Sequence, residues 1–211
     1  MSKKKKVLLI IIIVLLLAAG GLVAYKYFFQ KDEVTVKETK SLDSIKGFDY
    51  KLEDRDTKLY KEEFETLKKN LEGDEIDYEA YAESVAKMFI IDLYTIDNKI
   101  NKYDVGSLEF VHPDALENYK LNVEDTLYKY VADNTSLDRD QELPEVASIE
   151  VTDFQEDTFE LNDEEVDCYV VQLSFSYVED LGYDDNAKVI IVRQDDKLYV
   201  VQKSGIDDLE E

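Results

Sequence analysis

The chain has 211 residues, with 49 acids against 25 bases, a formal net charge of −24, one cysteine and no tryptophan. A field of that sign repels phosphate backbones and anionic headgroups, which argues against nucleic acid or a lipid surface as partner of the acidic part, and it favours cations or basic partners. The lone Cys168 cannot close an internal disulfide, so the fold must rest on its core.

The amino terminus carries four lysines, Lys3, Lys4, Lys5 and Lys6, followed by an uncharged apolar run from Val7 to Tyr25. The 19 residues of that run match the roughly 30 Å hydrocarbon core at about 1.5 Å per helical residue. A membrane anchor is expected, carried by Val7, Leu8, Ile12, Leu16, Gly20, Ala24 and Tyr25, with Gly20 and Ala24 forming a small-xxx-small pair through which two such helices can approach. Tyr25, Tyr27, Phe28 and Phe29 close it as an interfacial aromatic belt. The rival reading is a cleaved signal peptide ending near Leu22-Val23-Ala24, although the run exceeds the usual apolar region of about 7 to 15 residues. A lipoprotein is excluded because no cysteine follows Ala18-Ala19-Gly20-Gly21.

The lysine cluster predicts a cytoplasmic amino terminus and an extracytoplasmic remainder, hence a single-pass cell-membrane protein. Three arginines against 22 lysines, with abundant Ile, Asn and Tyr, match the coding bias of an AT-rich bacterial genome. The expected organisation is a cytoplasmic tail (1–6), a transmembrane signal anchor (7–29), a juxtamembrane stalk (30–55), an α+β domain (56–205) and an acidic tail (206–211). Within the stalk, Val34-Thr35-Val36 and Phe48-Asp49-Tyr50-Lys51-Leu52 alternate briefly, as edge strands do.

Beyond Asp56 the apolar residues Tyr60, Phe64, Leu67 and Leu71 step by four, three and four, which predicts a helix ended by Gly73. Asp77 is a fitting cap for a second helix with the stripe Tyr78, Ala82, Val85, Phe89, Leu93 and Ile96, widened by Met88, Ile90 and Ile91. After a break at Lys102 to Ser107, Phe110-Val111-His112-Pro113 opens a third helix with the stripe Leu116, Tyr119, Val123, Leu127 and Tyr130. From Pro144 the period changes to two. Ala147, Ile149 and Val151, then Tyr169, Val171, Leu173, Phe175 and Tyr177, then Val189 to Arg193 and Leu198 to Lys203 predict four antiparallel strands. Asp195-Asp196 suits a two-residue hairpin turn.

Helices first and a meander afterwards predict an α+β domain, with about three helices on one face of a curved antiparallel sheet of about four strands. This order, from the Asp77 to Asn98 helix through Phe110-Val111-His112-Pro113 to the strands between Ala147 and Lys203, resembles the NTF2-like cone. Behind a basic tail and one anchor it is similar to the VirB8-type ectodomains of bacterial secretion and conjugation systems. The resemblance covers about residues 56 to 205 and rests on element order.

No phosphate loop, nucleophile elbow or zinc spacing occurs, and the acidic runs lack the EF-hand pattern, so no catalytic residue, cofactor or metal is assigned. His112, the only histidine, is read as part of a helix start, and Cys168 as a buried strand thiol. The resemblance implies a pocket in which a carboxylate and a tyrosine could face each other, and Asp92, Tyr94, Asp97, Tyr103 and Asp104 supply those residue types. The expected function is an extracytoplasmic interaction or assembly module acting on other membrane or envelope proteins, possible homo-oligomer included. The alternative is a small-ligand-binding or isomerase-like domain.

Overall fold

The computed structural model describes residues 39–206. The expected anchor with its lysines, the first part of the stalk and residues 207–211 lie outside the described residues. No helix among the described residues is long and apolar enough to cross a membrane.

The described residues form an α+β unit with three α-helices, a two-stranded hairpin and a four-stranded antiparallel sheet. The hairpin pairs β1 (Ser41–Ser44) with β2 (Lys51–Glu53). Helix α1 (Lys58–Leu71) starts at Thr57, whose hydroxyl accepts from Tyr60 N, and buries Tyr60, Phe64, Leu67 and Leu71, the four residues of its stripe. Helix α2 (Tyr78–Tyr94) is capped by Asp77, whose carboxylate accepts from Ala80 N at 3.1 Å. It is buried on nearly all sides, because α1 covers one face and the sheet the other.

Two 3₁₀ turns, Leu108–Phe110 and Pro113–Ala115, lead into α3 (Leu116–Asp125). The third helix is shorter than its stripe predicts. Thr126 ends it, donating from both its amide and its hydroxyl to Asn122 O at 2.9 and 2.7 Å. The chain then turns so that Tyr128 is buried and donates to Leu93 O at 2.8 Å, while Tyr130 is 79% exposed.

The sheet is a simple meander of β3 (Val146–Leu161), β4 (Glu164–Tyr177), β5 (Asn186–Gln194) and β6 (Lys197–Ser204). Its helix-facing side buries Val171, Leu173, Phe175, Val189, Ile191, Leu198 and Val200, with Tyr169 and Tyr177 packed at the margins, as the alternation predicts. Asn162 and Asp163 both adopt left-handed φ, of 55° and 65°, and close the β3–β4 hairpin as a two-residue turn. Asp195, with φ of 56°, closes β5–β6. Bulges at Val151/Asp153 and Ile190/Ile191 add bend.

Strand β5 pairs with β4 only from Cys168 to Ser174, so the β3–β4 hairpin runs on as a two-stranded arm. Phe159, Leu161 and Val166 of the arm pack against Cys168, Val170 and Val192 on the outer face of the sheet. At the tip, Asn162 Nδ2 donates to the Asp114 carboxylate at 3.1 Å. Cys168 is thus a buried strand residue, and burial pushes its thiol pKa up.

The stretch read as a stalk enters the core. Ile45, Tyr50 and Leu52 are buried, and Tyr50 stacks on Phe110 with ring centroids 5.2 Å apart. The brief alternation at Phe48 to Leu52 overlaps β2, but three buried side chains among many charged ones give a period too short to mark the stretch as core.

Candidate functional site

A cleft of about 640 Å³ opens between α3, the carboxyl-terminal half of α2 and β6. Its position follows from the short third helix. Pro113 turns the chain away from β6, and α3 leaves the sheet edge uncovered beyond Val200. Phe89, Leu93, Val111, Val123, Leu127 and Val200 supply apolar walls, while Asn118, Asn122 and Gln202 supply amides. The volume lies in the range of specific ligand sites.

At one end of the cleft three elements meet in a polar relay. Lys203 Nζ donates to Tyr94 OH at 2.5 Å, and Tyr94 OH donates to Asp184 Oδ2 at 2.8 Å. Lys203 also pairs with Asp184 at 3.3 Å. Burial, then the Asp184 hydrogen bond and charge, holds the Tyr94 hydroxyl well above its ordinary pKa. Tyr94 therefore stays protonated, committed as donor to a carboxylate whose side chain is 63% exposed. The relay can orient a polar group entering the cleft; it is neutral overall.

A second polar assembly lies under β2 and the loop after α2. Asp92 accepts from Lys99, whose side chain is 2% exposed, and from Ser107 N. That contact holds Ser107 in a left-handed conformation with φ of 66°, and the Ser107 hydroxyl donates to Phe89 O at 2.7 Å. Gly106 is required beside it, since a Cβ there would sit 2.5 Å from Asp92 O. Arg55 bonds the Asp104 carboxylate with both terminal nitrogens, one at 3.0 Å, and pairs with Glu53 through Nε. Glu109 accepts from Lys51 N and Tyr60 OH, each at 3.3 Å.

Charge is unbalanced in this second assembly, with Glu53, Asp56, Asp92, Asp104 and Glu109 against Lys51, Arg55 and Lys99. Burial raises Asp56 to about 6 against its hydrogen bond from Glu53 N. Burial and then Asp92 raise Glu109 to about 7. Burial alone would also raise Asp104, yet Arg55 holds it below the usual carboxylate range. These groups staple β2, α1 and the loop after α2 together. Among the described residues no group of three or more acids, histidines or cysteines is arranged to hold a metal ion.

The residues expected to share a pocket are dispersed. Tyr94 lines the cleft, Asp92 and Asp104 belong to the second assembly, Asp97 lies 3.7 Å from Arg139, and Tyr103 is 61% exposed beneath Lys102. Helical positions two apart diverge by about 200°, so Asp92 and Tyr94 face opposite sides of α2. Asp184, Lys203, Asn118 and Asn122 were not legible as site residues. They come from a loop, a strand and a helix, and no spacing links them. His112, buried, starts the second 3₁₀ turn, with Nδ1 accepting from Asp114 N at 3.3 Å, as the sequence suggests. Comparison of the chain with known protein families, with curated proteins and with solved structures finds no match.

Proposed function

We propose that this chain is a single-pass, membrane-anchored assembly module whose extracytoplasmic α+β domain holds an envelope partner in the cleft between α3 and β6. The observation that carries this reading is the cleft itself, an apolar trough with a fixed polar relay at one end and an uncovered sheet edge along one side. Three helices on one face of a bent antiparallel meander support the NTF2-like, VirB8-type comparison. The basic start and uncharged run of the sequence support the anchor.

A photo-crosslinking side chain at Asn122 in the full-length chain, expressed in bacterial cells, tests the reading against the same group at Glu65 on α1. An adduct to a membrane or envelope protein at Asn122 and not at Glu65 is the expected result. Equal adducts at both positions, or none at Asn122, overturn it. The cleft volume also favours a second reading, a small amphipathic ligand, for which Asn122 would label a small molecule instead.

A further inference from the structure

The outer edge of β6 is divided at Val200. On one side of that point both outward groups of Leu198 and the carbonyl of Val200 have named partners. Leu198 N donates to Tyr81 OH at 3.2 Å, Leu198 O accepts from Tyr50 OH at 3.1 Å, and Val200 O accepts from His112 N at 2.9 Å. Val111 pairs with Val200 as a one-residue parallel strand before Pro113 turns the chain away.

Past the bulge at Val201, no described residue outside β5 bonds the backbone of Val201, Gln202 or Lys203, and these residues line the cleft. An antiparallel ladder directs alternate donor and acceptor pairs to its far edge, so this segment presents an unsatisfied strand edge beside an apolar trough.

We infer that the cleft receives an extended, basic-rich peptide segment of a partner protein, which adds as a fifth strand along β6 at Val201–Lys203 and continues the line that Val111 begins. The inference rests on the proposed reading of the cleft as the binding site. Main-chain bonds to β6 supply registration, and alternate side chains of the guest drop onto Phe89, Val123 and Leu127. The remaining side chains face outward into the field of a chain with 49 acids and 25 bases, which selects lysine and arginine there. The same field disfavours a second copy of the chain as the guest, since two acidic domains would meet edge to edge.

The test uses the full-length chain in detergent micelles and a pool of heptapeptides with Lys or Arg alternating with Val, Ile, Leu or Phe. A matched pool carries N-methyl groups on the apolar residues, which deletes their backbone donors. Expected are binding by the first pool, slowed amide exchange at residues 201–203, and about tenfold weaker binding of the methylated pool. Filling the trough with Asn122→Trp should abolish binding while leaving the exposed face of α3 folded.

Equal binding of both pools, or binding that survives Asn122→Trp, overturns strand addition. Failure of both pools to bind also overturns it, and if the Asn122 crosslink to an envelope protein persists, the cleft reading stands without strand addition. Loss of that crosslink removes the reading and the inference together.

Discussion

Glu109 and Asp56 set an unusual pH dependence. Their pKa values in the folded chain, about 7 and about 6, lie above the ordinary carboxylate range. The stability they contribute is therefore complete below pH 4, where both states are protonated, and is lost as pH rises through 6 and 7. Urea unfolding should show a more stable domain at pH 5 than at pH 8. Glu109→Gln should raise stability at pH 8 by about 1–2 kcal/mol and flatten the profile. A profile that rises from pH 5 to 8 in both proteins would refute this account. The tyrosine pair over β6 is the converse case, fully satisfied and buried. Tyr50 OH and Tyr81 OH lie 2.8 Å apart and share the backbone of Leu198. Tyr81→Phe orphans Leu198 N and should cost about 1–3 kcal/mol, read as a lower urea midpoint with unchanged slope.

At the scale of elements, the hairpin of β1 and β2 belongs to the domain, although its sequence reads as a stalk. Ile45 and Tyr50 are 2% and 0% exposed, and Tyr50 seals β6 against α2. Residues 39–206 should yield a cooperative thermal transition, whereas residues 56–206 should aggregate or melt without one. A cooperative transition at a similar temperature in the shorter chain would show that the hairpin is dispensable. The β3–β4 arm is the other element that takes meaning from packing. Its apolar residues Phe159, Leu161 and Val166 look like an exposed alternation until the arm bends across the outer face of β5.

For the whole molecule, the excess of acids dominates. Repulsion among surface carboxylates opposes compaction and is screened over about 10 Å at 0.1 M salt. The full-length protein in nonionic detergent should melt several degrees higher in 0.5 M than in 0.02 M sodium chloride, and peptide binding in the cleft should weaken over the same range. A melting temperature that falls with salt would mean that ion pairs such as Arg55–Asp104 outweigh the repulsion.

Local pattern alone determined the α+β class, the stripes of α1 and α2, the Asp77 cap and the four strands of the meander, because each depends on side chains within one element; the burial of Cys168 needed the β3–β4 arm folded over the outer face. The anchor is read from hydropathy and stands as an expectation. The cleft was beyond local pattern. Its walls come from α2, α3, the β4–β5 loop and β6, and its opening depends on where Thr126 ends a helix and where Pro113 turns the chain. The pairing of Arg55 with Asp104 and of Tyr94 with Asp184 likewise arises only when elements distant in sequence are packed, since charge and hydroxyl positions carry no period that forecasts their partners.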